Sequence, residues 1–368
     1  KRGTSEYINA KYEVERLNTS QMVIKILINS CYGYMGNKHA PIGDDDIASS
    51  VTLTGQAVIK YSNELIKEFI KKEIPDISDS ELEGCIIYND TDSSYVSITP
   101  LVNKGLKFLD GEDIHTDTFD KIQEIEDHLN QGVSKWAKKA LLSKDNRFIF
   151  KRECIADVGV FLQKKRYVMH ILDDEGIKEN KFKYTGVEVV RTTMPNAIKP
   201  YAKKIIETML MTQSLSKTNE LLNETYEIFK GLDPQELAFV MGVKGYEKYS
   251  TQCKEFTTTK GMPIHVKSAY FYNLILDKLS TGNKYETIGT GDKVRYMYIE
   301  QPNKFGLQSI GFKYDYPKEF SNLFKPDYDK MFEKILFQAI ERFYDNVGWK
   351  IRKPSENVTV ELFDLFSK

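Results

Sequence analysis

Apolar residues recur along this chain with two different periods, and the changes of period map its organisation. Residues 20–36, SQMVIKILINSCYGYMG, predict a helix with Thr19 or Ser20 as N-cap. Residues 49–72 predict a second, with Val51, Val58, Tyr61, Leu65, Ile66, Phe69 and Ile70 near helical spacing. Gly84 to Ile98, GCIIYNDTDSSYVSI, is two β-rich runs around a polar centre, the pattern of a hairpin. Over 116–142 the helical step returns through Phe119, Ile122, Ile125, Leu129, Val133, Trp136 and Ala140. Tyr167–Leu172, the turn-forming DDEG and Phe182–Val190 predict another hairpin. Beyond Pro195 helices are expected over 196–213, 218–230, 234–241, 266–279 and 326–346, interrupted by a short β-rich piece at Val294–Glu300. The first half is thus α+β and the second mainly helical, with a boundary expected near residue 191.

Composition narrows the class. The 368 residues are 41% hydrophobic and 29% charged, which suits two or three packed domains and excludes a disordered or fibrous chain. No run reaches the ~20 apolar residues that span a bilayer. Lys+Arg total 52 and Asp+Glu 53, so any nucleic-acid surface has to be a local patch. The four cysteines form no CxxC pair, which argues against a zinc site or a disulfide framework and for an intracellular setting. The first residue is Lys1, so a processed, trimmed or partial chain is expected.

The most informative string is Tyr88-Asn89-Asp90-Thr91-Asp92-Ser93. Two carboxylates two residues apart in extended chain project to the same side. Hard divalent cations prefer oxygen ligands, often one or two carboxylates plus substrate phosphates. Aspartates are also ordinary residues for a hairpin turn, so this spacing alone leaves both readings open. The helix about 60 residues upstream adds a second feature. Lys25, Asn29 and Tyr32 fall within about 60° of each other on a helical wheel, while Val23, Ile24, Leu27, Ile28 and Cys31 occupy the other faces. One narrow polar stripe on an otherwise buried helix fits a cleft wall, with the lysine as a point charge for a triphosphate. A core helix whose lysine snorkels to solvent fits the same pattern. Lys164-Lys165-Arg166-Tyr167 is a third: three adjacent cations that either hold phosphates or simply face water.

Taken together, these strings resemble family B DNA polymerases. YxDTDS resembles the family's third polymerase motif, KxxxNSxYG its second, and KKRY its KKxY element, in the expected order. TGVEVVRTTMP (Thr185 to Pro195) is similar to the palm-to-thumb passage of phage members, and GMPIHVKSAYFYN (Gly261 to Asn273) resembles a thumb segment. The resemblance runs from about residue 15 to 368 and points within the family to replicative enzymes of T-even-like bacteriophages. It implies an α+β palm built on an antiparallel sheet, preceded by a remnant of the fingers and followed by a mainly helical thumb. The corresponding divisions are 1–45, 46–190 and 191–368.

By the same resemblance Asp92 is a metal ligand with Asp90 beside it, in a site using two Mg²⁺ ions. Lys25 contacts the incoming dNTP, and Asn29 and Tyr32 line the nascent base pair. Lys164, Lys165, Arg166 and Tyr167 hold primer–template DNA, joined by His265 and Lys267. The closing run VTVELFDLF, with Leu362, Phe363, Leu365 and Phe366, resembles a sliding-clamp peptide. The expected location is intracellular, in the cytoplasm of an infected bacterial host if the chain is viral.

One part of the family pattern has no counterpart in these residues. The other metal aspartate, in a D-x-x-S-L-Y-P type motif before the lysine helix, is missing, as are the exonuclease carboxylates and the earlier arginine and lysine of the fingers. Without a second anchor the ions lose most of their stabilisation of the transition state. The expectation is therefore the C-terminal part of a DNA-directed DNA polymerase, active only with an N-terminal part that supplies this aspartate. The competing readings are a non-catalytic subunit that binds DNA and a sliding clamp, and an unrelated metal-dependent nuclease. The nuclease explains Asp92 but not the lysine helix.

Overall fold

A computed structural model describes residues 4–282 and 284–355. The chain is α+β and forms two compact units, 1–152 and 153–368. The boundary expected near residue 191 falls inside the second unit.

The first unit opens with α1 (Ser5–Met35) and α2 (Asp45–Glu73), joined by a tight reversal. At Gly43 any Cβ would collide with the Asn37 carbonyl, so the reversal demands glycine. Asp44 caps α2, accepting from the backbone N–H of Asp46 and Ile47, and Lys71 and Lys72 complement its C-terminal dipole. Next come the short α3 (Asp79–Gly84), β1 (Ile86–Asp90), β2 (Ser93–Val96) and α4 (Thr99–Asn103). A small hairpin, β3 (Leu109–Asp110) and β4 (Asp113–Ile114), leads into α5 (Thr116–Ala140). The core lies between α2 and α5. Leu65, Ile66, Phe69 and Ile70 meet Ile125, Leu129 and Val133 there, with Cys85 and Leu101 completing the cluster. A Cβ at Gly132 would sit 2.5 Å from Leu65 Cδ1, so this glycine sets how closely the helices approach.

In the second unit β5 (Cys154–Gln163), β6 (Arg166–Asp174) and β7 (Ile177–Thr185) form an antiparallel sheet with β6 in the centre. A 3₁₀ turn at Glu188–Val190 leads to α6 (Lys199–Thr212) and α7 (Leu215–Lys230). Strand β8 (Phe239–Gly242) and helix α8 (Tyr246–Ser250) precede α9 (Ile264–Lys278), β9 (Lys293–Tyr298) and β10 (Ser309–Phe312). The strands align as β10-β9-β8, and α9 lies on this sheet. It approaches β10 so closely that a Cβ on Gly311 would be 2.7 Å from the Ser268 carbonyl oxygen. Helices α10 (Lys318–Ser321), α11 (Tyr328–Phe332) and α12 (Gln338–Asn346) follow, the last two joined by a π-helical turn at Glu333–Phe337. One buried cluster runs from Val160 and Val168 of the first sheet through α6, α7 and α9 to Ile340 and Phe343 of α12. That shared core is why the β5–β7 sheet belongs to the second unit.

Beyond residue 191 the described chain is mainly helical, as its periodicity implies, and β9 is the expected β-rich piece. Residues 239–241, expected to end a helix over 234–241, belong instead to strand β8, where Phe239 pairs with Tyr296 of β9 and stacks on its ring at 5.0 Å. Strand β10 is the other strand that the periodicity does not announce. Strands β8 and β10 have 4 residues each, too few to impose a visible alternation.

Candidate active site

The acidic string forms the predicted hairpin, with Asp90 paired to Ser93 across its last rung. Thr91 and Asp92 are its two-residue loop. Thr91 adopts φ +56°, the left-handed conformation that tight hairpin loops require. Asp90 and Asp92 are therefore not on one extended strand, and strand alternation does not put them on the same side. Their relation is set by the turn instead. The Asp92 N–H donates to the Asp90 carbonyl at 2.6 Å, and the Ser93 hydroxyl donates to the same carbonyl at 3.2 Å. The Thr91 hydroxyl donates to Asp90 Oδ1 at 3.2 Å. Asp92 is exposed at the tip and Asp90 half-buried below it.

Polar contacts fix this hairpin on α2. The Ser94 hydroxyl lies 2.8 Å from Asn89 Oδ1 and 3.0 Å from Asn63 Oδ1 of α2. The rings of Tyr88 and Tyr95 pack at 5.5 Å across the strands. Asn63 and Ser94 escaped the sequence reading, although Ser94 directly follows the motif. Asp90 and Asp92 are oxygen donors of the kind Mg²⁺ prefers. Among the described residues no three His, Cys, Asp or Glu side chains gather into a metal-binding group. The hairpin's donor type fits a divalent ion, and its own carboxylates number two.

Lys25, Asn29 and Tyr32 share one face of α1, as their spacing requires. The Tyr32 hydroxyl donates to the Ala48 carbonyl of α2 at 3.1 Å, which ties the two helices near their turn. The rest of α1 differs from expectation. Among the described residues it buries no side chain, and Val23, Ile24, Leu27 and Ile28 are 57–64% exposed. The polar stripe is present, but the buried surround is not. Helix α2 is thus the common support, holding Tyr32 at Ala48 and the acidic hairpin at Asn63, about 22 Å apart along its axis.

The basic string lies at the turn between β5 and β6, with Lys164 and Lys165 as its two loop residues. Lys165 has φ +60°, and both lysines are exposed. Tyr167 is buried, its ring stacked on Phe161 at 5.1 Å. Arg166 does not simply face water. Its guanidinium is 3.2 Å from Glu188 Oε1. With its amide turned so that Oε1 faces the arginine, Gln163 accepts from Arg166 Nε and Nη1 at 3.0 Å each. His265 and Lys267 lie in the first turn of α9, both half-buried, and burial pushes the His265 imidazole below its ordinary pKa. Leu362, Phe363, Leu365 and Phe366 lie outside the described residues.

With the hairpin, the lysine helix and the basic turn in view, comparison with known proteins gives one family. The model of DNA polymerase family B matches residues 6–347, and the chain belongs to that family. Its relatives include the DNA-directed DNA polymerase of Escherichia phage RB69, 26% identical over 95% of this chain and 38% of that protein. The DNA-directed DNA polymerase of Enterobacteria phage T4 is 24% identical over 90% of this chain and 37% of its own length. A DNA polymerase of Thermococcus gorgonarius is 24% identical over 92% and 36%. The chain therefore spans less than two-fifths of these relatives. No described helix is long and apolar enough to cross a membrane.

Proposed function

We propose that this chain is the C-terminal part of a DNA-directed DNA polymerase, which adds dNTPs to a primer 3′ end. In this reading residues 1–45 are the last fingers helix, 46–190 the palm and 191–368 the thumb. The observation that carries it is the YNDTDS hairpin. Its turn presents Asp92 at an exposed tip, braced on α2 through Ser94 and Asn63, in a chain of polymerase family B.

Asp92 is the carboxylate that holds a divalent ion, and Asp90 supports it from the strand end. A bound Mg²⁺ pair supplies positive charge at the attacking and leaving oxygens of the phosphoryl transfer. The chain's own residues orient the reactants. Lys25 is a point charge for the triphosphate, with Asn29 and the anchored Tyr32 beside the nascent base pair. Lys164 and Lys165 hold primer–template at the exposed turn, and the buried Tyr167, stacked on Phe161, anchors the strand that follows them. The missing metal aspartate comes from an N-terminal polymerase part, whether joined to this chain or separate. The exposed apolar faces of α1 support such a partner, since apolar surface on this scale is a binding surface. The tail through Leu362, Phe363, Leu365 and Phe366 is the attachment point for a sliding clamp.

The test is extension of a labelled primer–template with dNTPs and Mg²⁺, using this chain with and without a polypeptide carrying the D-x-x-S-L-Y-P aspartate. Extension by the pair and not by either alone is expected. Robust synthesis by the 368-residue chain alone, or none by the pair, would refute the reading.

A further inference from the structure

Arg166 joins the basic turn to a carboxylate network that reaches well beyond it. Glu188 Oε1 accepts from Arg166 at 3.2 Å and from Arg342 of α12. The other oxygen of Glu188 is buried without a hydrogen-bond partner among the described residues. One carboxylate oxygen bridging two guanidiniums while the other is buried leaves Glu188 little freedom to reorient.

The backbone beside it is equally specific. Gly186, at φ +61°, lies so close to the Lys165 carbonyl that any Cβ would collide with it. The Gly186 carbonyl in turn accepts from Arg191 at 3.1 Å. A second tie runs from Asn346 at the end of α12 to the Phe161 carbonyl of β5 at 3.2 Å. The turn is thus held by Gly186 against the Lys165 carbonyl, by Glu188 and Gln163 at Arg166, and through Glu188 and Arg342 by α12.

We propose that Glu188 is a positioning residue for the DNA-contacting turn. It touches no substrate. By holding Arg166, and sharing its carboxylate with Arg342, it fixes the direction in which Lys164 and Lys165 are presented and couples that direction to α12. Contact of the turn with DNA rests on the function proposed above; the positioning itself does not.

Simple electrostatics predicts the opposite sign, which makes the proposal testable. Removing a negative charge beside three cations should tighten binding of a polyanion. A positioning residue should weaken it when removed. The experiment uses the full chain as wild type, Glu188→Ala, Glu188→Gln and Arg342→Met. Amide hydrogen exchange at 164–166 is measured without DNA, and primer–template Kd is measured at fixed salt. Glu188→Ala should speed exchange at the turn and raise Kd by roughly three- to tenfold. Glu188→Gln, which still accepts from Arg166, should fall between Ala and wild type in both. Arg342→Met should shift both readouts in the same direction, and it carries the test if Glu188→Ala fails to fold. Unchanged exchange at the turn in all variants would overturn the proposal. So would equal tightening of DNA binding by Ala and Gln. If wild type binds no primer–template while exchange at the turn responds as described, the DNA reading fails and the positioning role stands.

Discussion

Lys25 and Arg166 show how similar cations in sequence take different parts in the folded chain. Lys25 stands exposed on α1, whereas Arg166 is held by Glu188. Replacing Lys25 with alanine should therefore raise the KM for dNTP more than the Kd for DNA, since a charge-assisted phosphate contact is worth roughly 1.5–3 kcal/mol. Steady-state kinetics at saturating primer–template would read this, and an unchanged KM and kcat would remove Lys25 from the nucleotide site. The salt-sensitive pair is Lys164 and Lys165. Their double alanine variant should flatten the log–log salt dependence of DNA binding by about 0.9 for each phosphate no longer neutralised. His265 should add nothing to that slope at neutral pH, because burial lowers its pKa and favours the neutral imidazole. The same shift has a stability consequence. The unfolded chain binds this proton more readily, so the folded state loses stability as pH falls through the ordinary histidine range. His265→Gln should relieve that loss, visible as a smaller drop in Tm between about pH 7 and pH 5. The candidate residues were legible as strings because hairpin loops and helix stripes depend on near neighbours. The partners Asn63 and Glu188 were not, since each meets its string from 31 and 22 positions away.

Elements were readable where their period ran long enough. Helices α2, α5 and α9 repeat apolar residues over several turns, and the acidic hairpin is bounded by clear turn chemistry. Strand β8 is 4 residues long, and its conformation is set by pairing with β9, far along the chain. The apolar faces of α1 predict a buried helix, yet nothing among the described residues covers them, because periodicity reports a face and not its partner. Glu333 opens the π-helical turn. Glu333 is held well below the ordinary carboxylate range, at about 2. Burial alone would raise it, but Lys353, Lys330 and Lys334 outweigh that. Its contribution to stability is present above the ordinary glutamate pKa and lost as pH falls towards about 2. Glu333→Gln should cost roughly 1–3 kcal/mol near neutral pH and little in strong acid, as read by urea unfolding under both conditions.

At the scale of the whole molecule, the proposed enzyme draws the acidic hairpin from this chain and the second metal anchor from another polypeptide segment. Deleting Leu362 to Lys368 should leave single-nucleotide incorporation by the assembled enzyme intact and abolish clamp-stimulated processive synthesis. Stimulation that survives the deletion would remove the tail from that role. The most direct measurement is the single-turnover rate of nucleotide addition by the assembled enzyme with Asp92→Asn, alongside its primer–template Kd. Removing a metal ligand should cost several kcal/mol of transition-state stabilisation, a fall of at least about a thousandfold. DNA affinity should change little, because the proposed phosphate contacts lie at the basic turn. A rate within about tenfold of wild type would contradict the assignment of Asp92, and with it the polymerase site built on the hairpin.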